Sequence, residues 1–176
     1  MTPLCVDLDG TLIRGDVSLL ALGKFLRQNP LNILTVLCWL VNGGRAKLKQ
    51  KLALEIPLNV EDLDYNEEFL DFLRERKKKG HPLFLATACD AVYAEKIAEF
   101  LGIFSGVFAS DGKINLRASA KAAALVIIFG RQGFSYAGNS LDDLAVWNCC
   151  SECILVNPSF LVGQIMKNRC SLIFRI

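Results

Sequence analysis

Leu4, Val6 and Leu8 alternate with Cys5, Asp7 and Asp9, and Gly10-Thr11-Leu12 follow at once. This period-two pattern predicts a short buried strand that carries two carboxylates to its carboxyl end, where the chain turns. Helical periodicity then takes over with no strand between. The pattern predicts helices over 17–28, 31–41 and 46–55, with Pro57 stopping the third. Another helix over 66–79 has Glu67 and Glu68 in its first turn and Lys77, Lys78 and Lys79 in its last, which suits the helix dipole, and Gly80 closes it. Pro82-Leu83-Phe84-Leu85-Ala86-Thr87 is apolar almost throughout, as a strand covered on both faces requires.

Strands and helices alternate from there. Helices are expected over 91–101, 119–129 and 141–149, and strands over 106–109, 134–137 and 153–156. A βαβα rhythm after a helical insertion predicts an α/β fold, a doubly wound parallel sheet with a helical cap inserted after the first strand. The expected division is a core of residues 1–15 and 66–158, a cap of 16–65, and a C-terminal tail of 159–176. That tail mixes apolar residues with Lys167, Arg169 and Arg175, and reads equally as a packed terminal helix or as an anchor.

Composition narrows the picture. With 176 residues, 52% of them hydrophobic, the chain fits one domain with a small insertion and has apolar side chains to spare for a partner or a membrane. A net charge of +2 is too small to argue for nucleic acid. The apolar stretch 31–41 is shorter than the roughly 20 residues that span a bilayer, so it is expected as a buried or interfacial helix. Seven cysteines in irregular spacing, and a start that runs straight into the Asp-x-Asp strand, are expected of a chain without a cleavable leader in a reducing cytoplasm. The apolar stretch also allows a peripheral position at the inner face of the membrane. Cys150-Ser151-Glu152-Cys153 has the outline of half a zinc or redox site, but no second pair exists and His81 is the single histidine. Core packing is the expectation there.

Two carboxylates at one strand end repel each other and need a cation, a shared proton or both. Ligands of open α/β sheets sit at the carboxyl ends of the strands, where three more loops are expected. In Thr87-Ala88-Cys89-Asp90 a hydroxyl and helix-start N–H groups suit a phosphoryl oxygen, while Asp90 caps the next helix. Asn115-Leu116-Arg117 leads into the helix carrying Lys121; Arg117 and Lys121 lie four apart, so they can share a face and neutralise a transferring phosphoryl group. Tyr136-Ala137-Gly138-Asn139-Ser140-Leu141-Asp142-Asp143 brings Asp142 or Asp143 towards Asp7, where a hard divalent cation takes oxygen ligands. The other reading of that loop is a plain helix cap by Ser140 or Asn139.

Together these four loops resemble the haloacid dehalogenase-like (HAD) superfamily over residues 4–158. The resemblance implies a phosphomonoester hydrolase in which Asp7 attacks phosphorus and Asp9 is the general acid/base. It implies that Thr87 binds the phosphoryl group, with Gly10, Thr11 and Ala88 beside it, and that Asp7, Asp9, Asn139 and Asp143 hold Mg²⁺. Arg117 stands where the phosphoserine phosphatase branch has a lysine before a glycine, and Ala118 follows it here; Lys121 is the substitute one turn later. Asn139 stands where the fourth motif has its first aspartate. Lys49, in Leu48-Lys49-Gln50-Lys51-Leu52, resembles the cap position of a substrate-binding arginine.

Residues 83–90, 109–112, 121–125 and 136–140 look most like the HAD domain at the amino terminus of UbiA-type membrane prenyltransferases. Members of that branch also carry Asn at the position of Asn139. This implies a small-molecule phosphate ester as substrate, prenyl-linked in one version, and a membrane surface or membrane prenyltransferase as partner. The alternative it implies is a catalytically weak module that binds or regulates such a prenyltransferase.

Overall fold

The computed structural model describes residues 1–175; Ile176, the last residue of the expected tail, lies outside the described residues. Six parallel strands form one open sheet: β1 (Leu4–Val6), β2 (Leu83–Asp90), β3 (Gly106–Ser110), β4 (Ser135–Gly138), β5 (Glu152–Val156) and β6 (Leu172–Phe174). Their order is β3-β2-β1-β4-β5-β6, with β1 held between β2 and β4. Leu4 pairs with Leu83 on one side and with Ser135 on the other. The strand order reverses at β1, and in such sheets the crevice outside the strand ends at that point receives the ligand. Asp7 is the first residue beyond β1.

Alternation along β1 divides the core into two. Leu4 and Val6 pack in a cluster with Val17, Phe69 and Ile97, while Cys5 joins Leu125, Tyr136 and Trp147 on the other face. The first cluster is covered by α1 (Val17–Gln28), α2 (Asn32–Glu55), α3 (Glu67–Lys78) and α4 (Ala91–Leu101); the second by α5 (Ser119–Phe129), α6 (Leu144–Trp147) and α7 (Phe160–Met166).

Several boundaries differ from the sequence pattern. The two helices expected over 31–41 and 46–55 run as α2, with a non-helical break at Gly44 (φ 65°, ψ −161°), a conformation open to glycine. The helix expected over 141–149 opens instead as a 3₁₀ turn (Leu141–Asp143) before the short α6, because Ser140 and Asp143 cap each other's backbone at its start. β2 extends to Asp90, three residues past the expected end. The tail contains α7 and a sixth strand, β6, whose Phe174 ring packs 5.3 Å from Phe69 and 5.1 Å from Phe72.

The segment between β1 and α3 is fastened where it leaves and re-enters the sheet. Ile13 bridges Tyr65, and the Asn66 amide donates to the Thr11 carbonyl. The end of α2 is tied to α4 by the Tyr93 hydroxyl, which bonds the carbonyls of Ile56 (2.6 Å) and Leu52 (3.1 Å).

Candidate active site

The ends of β1, β2 and β4, the start of α5 and the helices after β1 surround a cavity of about 570 Å³. Asp7, Asp9, Gly10, Ala88, Arg117, Lys121, Asn139 and Asp143 line it, as does Lys49 from α2. Thr11 and Thr87 do not line it. Both are fully buried; the Thr87 hydroxyl oxygen accepts the Cys89 N–H (2.9 Å), while the Thr11 hydroxyl has no hydrogen-bond partner. At the end of β2 it is Ala88, rather than the expected Thr87 hydroxyl, that borders the cavity.

The turn after β1 brings the backbone close to Asn139. Gly10 sits at φ 75°, and a side-chain carbon on it would collide with the Asn139 amide. Asp9 points to the start of α1, where its Oδ1 accepts the Val17 N–H (2.8 Å). Burial, reinforced by the negative charges of Asp16 and Asp7, pushes the Asp9 carboxyl up to about 7, against the pull of the Val17 N–H and Lys49. Burial also raises Asp7, to about 6, with Lys121 opposing it and Asp143 adding to it.

Of the two cations offered by the sequence, Lys121 is the one that meets Asp7. Its Nζ donates to Asp7 Oδ1 (2.6 Å) and lies 3.6 Å from Asp143 Oδ1. It is buried in the first turn of α5, and the two carboxylates hold its ammonium above its usual range despite the opposing cost of burial. Arg117 lies in the loop before α5, half-exposed, and pairs with Asp142. Between them Ala118 takes φ 48°, ψ −116°, a left-handed conformation that favours the glycine it replaces in the resemblance.

Asp143 has little oxygen to offer a metal. Its Oδ2 accepts from the N–H groups of Asn139 and Ser140 (both 3.0 Å) and from the Ser140 hydroxyl (3.1 Å), and its Oδ1 accepts the Tyr136 hydroxyl (2.6 Å). Among the described residues no group of three or more His, Cys, Asp or Glu side chains could hold a metal ion. The remaining expected donors, Asp7, Asp9 and Asn139, all border the cavity and offer hard oxygen atoms. Their fit to a divalent cation is in kind, since Lys121 pairs with Asp7 and Asp143, and Asp9 lies beside the negative charges of Asp7 and Asp16.

Lys49 lines the cavity from α2 and donates to the Ala88 carbonyl (2.6 Å), a contact that ties helix to sheet. Arg45, Leu19 and Asp16 also line the cavity, and the sequence did not single them out. The sequence places Tyr136 in a strand, where the structure has it, and gives it no part in the site. The available signal was its hydroxyl, which needs a partner at a position that strand pairing buries. Cys150 and Cys153, with Sγ atoms 3.5 Å apart, are free thiols packed in the second core cluster.

No family model matches the chain. The uncharacterized protein y4nM of Sinorhizobium fredii is 37% identical over 155 residues, which are 88% of this chain and 30% of that one. The chain therefore spans under a third of the length of this curated relative. Solved structures resemble it over nearly its whole length. A protein of unknown function from Bordetella pertussis Tohama I has a TM-score of 0.74 at 16% identity, covering 98% of this chain and 97% of that one. A phosphoserine phosphatase captured as a phospho-aspartyl intermediate analogue has a TM-score of 0.62 at 17% identity, covering 98% and 92%. A haloacid dehalogenase-like hydrolase from Streptococcus pneumoniae has a TM-score of 0.63 at 15% identity, covering 100% and 94%. The chain has the α/β fold of the haloacid dehalogenase-like hydrolases.

Proposed function

We propose that the protein is a phosphomonoester hydrolase working through an aspartyl-phosphate intermediate. The observation that carries this reading is the pairing of Asp7, held against the buried Lys121, with an Asp9 carboxyl whose proton is held to about 7 in the same cavity. Lys121 pulls Asp7 towards the ionised form that a nucleophile needs, while Asp9, beside the negative charges of Asp16 and Asp7, holds its proton more readily, as an acid needs. An Asp7 oxygen forms a bond to phosphorus as the bond to the ester oxygen breaks, and Asp9 gives its proton to the departing alkoxide. Asp9 then takes a proton from a water molecule, whose oxygen displaces Asp7 from phosphorus and frees inorganic phosphate. Lys121 screens the charge on Asp7 and on the transferring group throughout. Mg²⁺, held by Asp7 and Asn139, would supply further neutralisation of the phosphoryl oxygens. Gly10 and Ala88 border the position of that group, and Arg45 and Lys49 stand on the cap side of the cavity, where the rest of a small phosphate ester would lie.

The second reading is a module that binds or regulates a membrane prenyltransferase with little turnover of its own. Asn139 favours it, since an amide in place of a carboxylate weakens a cation site. Phosphate release from p-nitrophenyl phosphate and a panel of monoesters with Mg²⁺, compared with Asp7→Asn, separates the two. Turnover that Asp7→Asn abolishes supports the hydrolase; a folded parent without turnover supports the binding module.

A further inference from the structure

The Tyr136 hydroxyl is enclosed by charge. Tyr136 is wholly buried on β4, its ring 6.3 Å from that of Trp147 in an edge-on contact. Its oxygen accepts a proton of Lys121 Nζ (2.9 Å) and its own proton goes to Asp143 Oδ1 (2.6 Å). Lys121 in turn donates to Asp7, and Asp143 holds the Asn139–Ser140 turn through three further hydrogen bonds. An unbroken chain of hydrogen bonds thus joins Asp7 to the loop that carries Asn139, and Tyr136 is its middle link.

Lys121 lies between two carboxylates that compete for it. One ammonium at 2.6 Å from Asp7 and 3.6 Å from Asp143 would be drawn to the second as readily as to the first. The tyrosine oxygen occupies the gap on the Asp143 side, satisfying that carboxylate with its own proton and taking one of the three ammonium protons. Phenylalanine would fill the same apolar slot beside Trp147. What tyrosine adds is the hydroxyl, a polar group whose burial is costly unless both its partners are kept in register.

We infer that Tyr136 is a positioning residue, whose hydroxyl holds Lys121 on Asp7 instead of Asp143 and fixes the Asn139 turn beside it. This inference rests on the hydrolase reading, and it names a part of the site that acts only through others. Tyr136→Phe removes one hydroxyl and leaves the ring. Its expected effect on Mg²⁺-supported monoester hydrolysis is a fall of about 10- to 100-fold in kcat, the worth of one hydrogen bond to a charged group. KM is expected to stay within about 3-fold, because the hydroxyl does not border the substrate.

Two further variants distinguish positioning from packing. Trp147→Phe trims the ring's neighbour and breaks no hydrogen bond, since the indole N–H has no partner, and it is expected to leave kcat near the parent's. Asp143→Asn combined with Tyr136→Phe is expected to lose much less than the product of the two separate losses, because both act on one chain of contacts. A Tyr136→Phe enzyme with parental kcat overturns the inference while leaving the hydrolase reading intact. So does a loss that Trp147→Phe reproduces, or independent losses in the double variant. A parent that turns over no monoester overturns both.

Discussion

Asp7 and Asp9 sit in the same desolvated corner, and the proposed hydrolysis asks them for opposite protonation states. Asp7 attacks only when ionised, so activity is expected to rise as pH climbs through about 6; Asp9 gives a proton only when it holds one, so activity is expected to fall as pH climbs through about 7. The kcat/KM profile should therefore be a narrow bell with its maximum between these values, and a plateau extending to pH 9 would contradict the assignment of Asp9. Asn139→Asp restores a carboxylate at the cavity wall. It is expected to lower the Mg²⁺ concentration for half-maximal activity by about 10-fold and to make the thermal midpoint fall in chelator and recover with Mg²⁺. Chelator-insensitive stability would speak against a cation there. At this scale the sequence was legible for Asp7, Asp9 and Lys121, since their spacing from strand ends and helix starts carries their direction. It was not legible for Tyr136 or Arg45, whose roles depend on which chain segment folds over them.

Elements are marked where a residue type is forced on the backbone. Gly102 and Gly130 end α4 and α5 at the positions the pattern predicts, and both have positive φ. Gly44 breaks α2 in the same way, so Gly44→Ala is expected to cost about 1–3 kcal/mol through backbone strain, read as a lowered midpoint in urea. Ala118 is the converse, a side chain where glycine belongs. Ala118→Gly is expected to gain about 0.5–1 kcal/mol, and a loss would mean that the loop before α5 depends on the alanine methyl. β6 was not foreseen because three apolar residues on an edge, Leu172–Phe174, carry too short a pattern to separate strand from helix. The 3₁₀ start before α6 was hidden for a different reason: a cap by Ser140 is one of the two readings of that loop, and a cap marks where a helix begins without telling a 3₁₀ turn from an α-helix.

On the scale of the molecule, α1 and α2 stand out for what they leave uncovered. Leu34, Leu37 and Val41, spaced along one side of α2, are 65%, 51% and 84% exposed. Between residues 17 and 54 there are six Lys or Arg residues and no Asp or Glu. No helix among the described residues is long and apolar enough to cross a membrane. If this face meets a bilayer or admits a prenyl-linked ester, the protein should float with anionic liposomes and Leu34→Glu/Leu37→Glu should stay behind. Equal absence of both from the lipid fraction removes the membrane version. The fold class was legible from the βαβα rhythm, but the strand order was not, because β1 pairs with partners 79 and 131 residues further along.

That central position of β1 has a consequence for synthesis. β1, which leads to Asp7, leaves the ribosome before its partner strands, with both edges unpaired until β2 emerges and one edge unpaired until β4 follows. Until those partners emerge the nascent chain therefore exposes a hydrophobic strand with open edges, the kind of surface that chaperones bind and that aggregates capture. Asp7 acquires its lysine only when α5 follows, and the Asn139 turn only after β4. A ribosome stalled before residue 140 would carry Asp7 and Asp9 without the closed turn that borders their cavity.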